Sequence, residues 1–175
     1  MITYVDRDSE KYIFGISNYN RVLELYDKSL HKVKRIAHSS SQKQKIVFED
    51  ICNWNVKTCG TGIFHRKSLG IYWDESFRLL EDLDFLISEG KEHPDGFLHI
   101  PYALFEYRQR YNTDGQCSLS NFGDFSKAFK AIYDKHYADI SLSKEAFLGR
   151  FEKYKNLQMR YESGEIEKMG DYIFS

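Results

Sequence analysis

Two adjacent carboxylates, Glu81 and Asp82, lie at the start of an apolar stretch of the sequence, LLEDLDFLISEG at positions 79–90. A carboxylate held beside a like charge, with apolar neighbours limiting water, can have its pKa raised enough to accept a proton from an attacking hydroxyl. The pair therefore indicates general-base chemistry. The same residues also suit the first turn of a helix, because exposed backbone N–H groups and the helix dipole stabilise negative charge there.

A second acidic pair, Asp6 and Asp8, directly follows the β-branched and aromatic run at positions 2–5. Two carboxylates separated by one residue at a strand end can share a divalent cation with a diphosphate, since Mg²⁺ and Mn²⁺ prefer oxygen ligands. Such a cation neutralises charge on a nucleoside diphosphate as it leaves. A solvated turn is the ordinary explanation of the same spacing.

Two further groups could contact a ligand. Arg108 and Arg110 end an aromatic run, and guanidinium groups bind phosphate oxygens bidentately, although arginines at strand ends are common without a ligand. The segment Gly60-Thr61-Gly62 allows a sharp bend or a close approach of the backbone. A sugar-facing loop, a bulge or tight packing would each account for these glycines.

Local patterning predicts the elements that must position these residues. Positions 12–17 read as a strand, and Asn18 to Asn20 read as a turn. A buried helix is expected from Glu81 to a stop at Gly90. Positions 97–100 and 103–110 alternate well enough to form two strands.

The last third of the chain has helical periodicity and predicts two amphipathic helices. Asp124 and Ser143 are the expected N-caps, and Gly164 is the expected C-terminal stop. The apolar faces consist of Phe125, Phe129, Ile132, Tyr133 and His136 in the first helix and Phe147, Phe151, Tyr154, Leu157 and Tyr161 in the second.

The charge balance argues against a nucleic-acid partner. The 175 residues include 25 basic and 26 acidic side chains, so the chain lacks the broad positive surface of a non-specific nucleic-acid binder. Aromatic residues make up 16 % of the sequence, which means that rings must supply much of the buried core.

The cysteines and histidines suggest structural roles and a reducing compartment. Cys52, Cys59 and Cys117 match no zinc or redox spacing and are expected to be reduced, in a cytoplasmic protein. The N-terminus lacks the pattern of a secretory signal, and no apolar window is long enough for a transmembrane segment. No metal-ligating residue lies four positions after His65, His93 or His99, so these histidines are expected to be structural.

The order of the segments resembles the second half of an inverting family 2 glycosyltransferase of the GT-A type. The strand ending in D-x-D is followed by GTGIFHRKSLG, then WDESFRLLEDLDF, then PYALFEYRQRY, over about residues 1–112. The resemblance implies an α/β fold, with a partial GT-A mixed sheet and helices at positions 1–120. The two C-terminal amphipathic helices would form an extension at positions 121–175.

The resemblance also implies roles for individual residues. Asp82 would be the catalytic base with Glu81 as its neighbour, and Asp6 and Asp8 would bind Mn²⁺ or Mg²⁺. The donor would be a nucleotide sugar, with a UDP-sugar as the first choice, and the acceptor a glycan or another hydroxyl compound. The expected substrate-binding residues are Gly60, Thr61, Gly62, Asp84, Arg108 and Arg110.

This sequence differs from the family pattern in one respect, because members begin with a nucleotide-binding half and this chain starts at the D-x-D strand. We therefore expect a fragment, or a complementing chain or homo-oligomer that supplies the other half. The alternative is a non-catalytic carbohydrate-binding or interaction subunit that reuses the fold.

Overall fold

The structure is a computed structural model that describes residues 12–27, 32–41, 45–53, 62–65, 72–111 and 122–165. Asp6, Asp8, Gly60 and Thr61 lie outside these ranges, as does the strand predicted at positions 2–5. For positions 109–111, at the end of a strand, only the backbone is described.

Four strands form one mixed sheet around a long central strand: β1 (Phe14–Asp27), β2 (Lys32–Ser41), β3 (Ile63–His65) and β4 (Phe97–Tyr111). β4 pairs with β1 in parallel, whereas β2 and β3 pair with different halves of β1 in antiparallel fashion. With the helices described below, this arrangement confirms the predicted mixed α/β class.

The predicted turn at Asn18 to Asn20 is wrong, because β1 runs through it without interruption. The polar residues are accommodated by a shift of register between β1 and β4: Ser17 pairs with Ile100, but Asn18 pairs with Ala103. The intervening residues of β4 include Pro101, which has no N–H to donate to a neighbouring strand. The two strands expected at positions 97–110 are therefore one bulged strand.

Four helices lie within the described ranges: α1 (Phe48–Cys52), α2 (Glu81–Glu92), α3 (Phe122–His136) and α4 (Lys144–Glu162). The predicted start of α2 at Glu81 is confirmed, and the helix passes Gly90 by two residues. A side chain at Gly90 would overlap the ring of Phe48, so this glycine lets α1 pack closely against α2.

The two predicted C-terminal helices are confirmed, with one correction at a helix start. The Oγ of Ser143 accepts a hydrogen bond from the N–H of Ala146 at 3.1 Å and caps α4, and Gly164 follows that helix with a φ of 77°. Asp124 lies inside the first turn of α3, which begins at Phe122. No described helix is both long enough and apolar enough to cross a membrane.

A single buried cluster joins the sheet to α2, α3 and α4. Phe14 and Ile16 from β1 belong to the same cluster as Leu83 from α2, Phe129 from α3 and Phe147 from α4. Residues from both sides of the predicted boundary at position 120 thus share one core, and α2 is fixed between the sheet and the C-terminal helices.

Glu89 is an unusual member of this interior. It lies on α2 and is 0 % exposed, and neither carboxylate oxygen has a hydrogen-bond partner among the described residues. Burial raises the pKa of Glu89, and the nearby His93 and His65 oppose that rise only in part. The interior therefore favours the protonated carboxylic acid.

We predict that Glu89→Met raises the free energy of unfolding at pH 7 by about 1–3 kcal/mol, because it removes a buried polar group that has no partner. The stabilisation from Glu89 is fully present below its ordinary pKa of 4.5 and is lost as the pH rises through the raised folded-state pKa. Glu89→Gln, which cannot titrate, should therefore gain more relative to wild type at pH 7 than at pH 4. Urea unfolding at both values measures this, and a gain that is independent of pH would contradict it.

Candidate functional site at the start of helix α2

The first turn of α2 places Glu81 and Asp82 side by side, each half-buried. The preceding residue, Leu80, has a φ of 62° and offers no side-chain cap. The Oδ1 of Asp82 instead accepts a hydrogen bond from the N–H of Leu83 at 2.8 Å. Asp82 thus satisfies one of the backbone donors that a helix start leaves exposed.

Asp84, two residues further on, has a different environment because both of its oxygens are bound by α3. It is 1 % exposed. Its Oδ1 lies 2.7 Å from Nε2 of His136, and its Oδ2 accepts a hydrogen bond from Nζ of Lys135 at 2.9 Å. A buried carboxylate without such partners would be strongly destabilising.

Lys135 also binds Asp74, in the segment that precedes the helix. Its Nζ donates to Oδ2 of Asp74 at 2.8 Å, while Oδ1 of Asp74 accepts from the N–H and the Oγ of Ser76 at 3.0 and 2.6 Å. One ammonium group therefore connects WDES and EDLD, the two parts of the acidic motif, to α3. We call Asp74, Asp84, Lys135 and His136 the Lys135 cluster.

The electrostatics of the Lys135 cluster favour the charged forms of Asp74 and Lys135. Hydrogen bonds from Lys135, and then from Ser76, hold the pKa of Asp74 well below its usual range. Burial opposes the charge on Lys135, but its hydrogen bonds with Asp74 and Asp84 outweigh burial and raise its pKa. The ammonium also lies 5.3 Å from the centre of the Phe77 ring, within the range of a cation–π contact.

Aromatic side chains pack beside the acidic turn. The indole of Trp73 stacks on Phe85 with ring centres 4.6 Å apart and planes 17° from parallel. His65 meets the same ring at 5.1 Å and 64°. Phe85 lies one turn after Asp82, so the ring on which Trp73 and His65 pack belongs to the helix that carries the carboxylates.

The remaining predicted residues that the structure describes lie on the sheet. Gly62 is buried just before β3, and a side chain there would overlap the ring of Phe105 on β4, which favours tight packing as the reason for this glycine. The side chain of Arg108 binds Glu106 at 2.7 Å and approaches the buried Glu24 at 3.5 Å. Arg110 pairs with Glu24 through the backbone register of β1 and β4.

The structure thus brings Glu81, Asp82 and Asp84 together on one helix, but it gives them different surroundings. Among the described residues, no hydrogen bond or ion pair links Arg108 to this helix. No group of three or more histidine, cysteine, aspartate or glutamate side chains within the described ranges is arranged to hold a metal ion.

The Lys135 cluster was not predicted from the sequence, although one signal pointed to it. His136 continues the apolar face of α3 four residues after Ile132, so the pattern places a polar ring in the core. A polar side chain on an apolar face requires a buried hydrogen-bond partner. The acidic residues of the EDLD segment are candidates for that partner. Sequence alone offered no means of choosing Asp84 among the acidic residues there.

A second feature lies at the start of β4. A groove of about 720 Å³ is lined by residues of the 45–48 segment and the start of β4, including Lys45, Phe97 and His99. The ring of His99 accepts a hydrogen bond from the N–H of Ile46 through Nδ1 and contacts Oδ1 of Asn18 through Nε2, both at 3.0 Å. Burial lowers the pKa of His99, in keeping with a neutral ring that holds this segment in place.

We predict that Lys135→Met lowers the free energy of unfolding by roughly 2–3 kcal/mol, because Asp84 would lose the cation that compensates its buried charge. The effect should be smaller than for a fully enclosed pair, since the side chain of Lys135 is 38 % exposed. Lys130→Met is the matched control on the same helix, because the ion pair of Lys130 with Asp134 is exposed. The control should change stability by less than about 0.5 kcal/mol in urea unfolding, and equal effects of both variants would contradict a bridging role.

Comparison of the chain with protein-family models, with curated proteins and with solved structures found no match in any of the three.

Proposed function

We propose that this protein is a glycosyltransferase that transfers a sugar from a nucleotide-sugar donor to a hydroxyl group of an acceptor with inversion. The main support is the Glu81–Asp82 pair, which is half-buried at the start of a helix that the Lys135 cluster holds in place. A general base must be held rigidly, and it must also be reachable by the hydroxyl that it deprotonates.

The geometry favours Asp82 over Asp84 as the base. Asp84 is almost completely enclosed, and both of its oxygens are bound by side chains of α3, so it lacks the access that an acceptor hydroxyl requires. Asp82 lies in the same turn but is only half-buried. In this proposal Glu81 adjusts the proton affinity of Asp82 through its charge.

The donor side of the proposal depends on residues of the sequence outside the described ranges. Asp6 and Asp8 present carboxylate oxygens, the donor type that Mn²⁺ and Mg²⁺ prefer. A cation held there would supply positive charge against the diphosphate of a UDP-sugar. Gly60 and Thr61 are proposed to line the substrate pocket, with Arg108 and Arg110 near the phosphates.

We assign the activity to the cytoplasm. The thiol of Cys52 is free and buried, and burial raises its pKa to about 11, so it remains a protonated thiol at neutral pH. A buried free thiol of this kind suits a reducing compartment.

A second candidate is a non-catalytic carbohydrate-binding subunit. One observation favours it, because the two aspartates of EDLD each make contacts that stabilise the fold: Asp82 binds a helix N–H and Asp84 binds α3. A screen of nucleotide sugars for Mn²⁺-dependent turnover separates the two candidates, since only the enzyme consumes a donor. Absence of turnover with every donor, in a protein that still binds glycans, would favour the binding subunit.

If Asp82 is the base, Asp82→Asn should lower turnover by about two to four decades while donor affinity changes little, because the amide keeps the shape but accepts no proton. Glu81→Gln should reduce turnover less. Asp84→Asn should act mainly through lost stability, seen as a lower unfolding midpoint. Near wild-type turnover in Asp82→Asn, measured in initial-rate assays, would refute the assignment.

If Asp6 and Asp8 bind the metal, Asp6→Ala and Asp8→Ala should each weaken Mn²⁺-dependent binding of UDP by at least tenfold in calorimetry, since a carboxylate ligand is lost. Asp95→Ala, in the exposed turn before β4, is a suitable control and should leave binding unchanged. Equal Mn²⁺ affinity in all four proteins would remove these two aspartates from the proposal.

A further inference from the structure

Trp73 has an exposed surface in the segment that precedes α2. The ring stacks on Phe85, yet 38 % of the residue remains exposed, and its neighbour Tyr72 is 85 % exposed. Large aromatic side chains of a folded protein are normally more deeply buried, and an exposed ring next to polar groups is a common feature of binding sites.

The position of Trp73 is also fixed. The next residue, Asp74, is held by Lys135 at 2.8 Å and by two hydrogen bonds with Ser76. The indole also stacks on the ring of Phe85, a residue of α2 that is 1 % exposed. A surface that is rigid before a ligand arrives loses little conformational entropy on binding.

Trp73 and Asp82 are connected through Phe85. Phe85 follows Asp82 by one helical turn, about 5–6 Å between Cβ atoms, and Trp73 stacks on Phe85 with ring centres 4.6 Å apart. The C–H face of a pyranose is apolar, and packing it against an aromatic ring is favourable because both surfaces are removed from water. Its hydroxyl groups, directed outward from the rim, can donate hydrogen bonds to carboxylate oxygens.

We propose that Trp73 forms a stacking surface for a pyranose ring of the acceptor, which makes the acceptor a glycan. This inference rests on the proposed function, since it places the acceptor sugar against the residue assigned as the base. Stacking on Trp73 positions the sugar, and Asp82 takes the proton of its reacting hydroxyl.

The test measures binding of cellotetraose, chitotetraose and maltotetraose to the protein by saturation-transfer NMR and titration calorimetry. We expect at least one of these glycans to bind, Trp73→Ala to raise its Kd at least tenfold, and Trp73→Phe to raise it no more than about threefold, because phenylalanine keeps a ring face. Tyr102→Ala, which removes an exposed ring on β4, is the matched control and should leave Kd unchanged. Mannitol, a polyol without a ring face, should not bind.

Three results would overturn the stacking surface: no binding of any of the three glycans below about 10 mM, equal Kd values for wild type and Trp73→Ala, or equal binding of mannitol. Thermal unfolding of each variant checks that the fold is retained, and Trp73→Phe keeps the test valid if Trp73→Ala is destabilised. Donor hydrolysis without acceptor, measured in the same samples, tests the proposed function separately. If wild type and Trp73→Ala hydrolyse the donor at the same rate and neither binds a glycan, the stacking surface is refuted. The transferase proposal is then unaffected.

Discussion

The ammonium group of Lys135 is the interaction on which the arrangement of the acidic segment depends. It lies between Asp74 and Asp84, at 2.8 and 2.9 Å, and so joins the segment before α2 to the first turn of that helix. Asp84 is enclosed, and a charged carboxylate in such a site destabilises the folded state when a partner is removed. The position of α3 against α2 is thus set by charge as well as by apolar packing.

This constraint explains why the C-terminal helices belong to the same core as the sheet. His136 and Lys135 can reach Asp84 only if the last turn of α3 lies across the first turn of α2. Phe129 and Ile132 belong to the same buried cluster as Leu83 and Leu86, and this cluster also includes residues of β1. The hydrogen bonds of Asp84 with Lys135 and His136 require specific geometry and therefore select one arrangement of α2 and α3. Apolar packing alone would specify this arrangement less strictly.

The features that could be predicted from the sequence are those encoded by neighbouring residues. The start of α2, the two C-terminal helices and the Ser143 cap follow from periodicity and from residues within one turn of each other. The turn expected at Asn18 to Asn20 was wrong because pairing with a strand some 85 positions away kept the backbone extended despite its local preference. The Lys135 cluster was missed for the same reason, since Asp84 and His136 meet only after the chain has folded.

The acidic residues of α2 show how surroundings, more than residue type, determine what a carboxylate can do. Asp82 lies in the first turn, half-buried and close to solvent, where a ligand can approach it. Asp84 is enclosed with a lysine and a histidine and serves to join two helices. Glu89 is enclosed without a partner, and burial favours its neutral form. These environments arise from one helix that crosses the boundary between surface and core, so the same functional group has three different roles on it. The chemistry proposed for Asp82 therefore depends on its position at the edge of the core, two residues before the buried Asp84 of the Lys135 cluster.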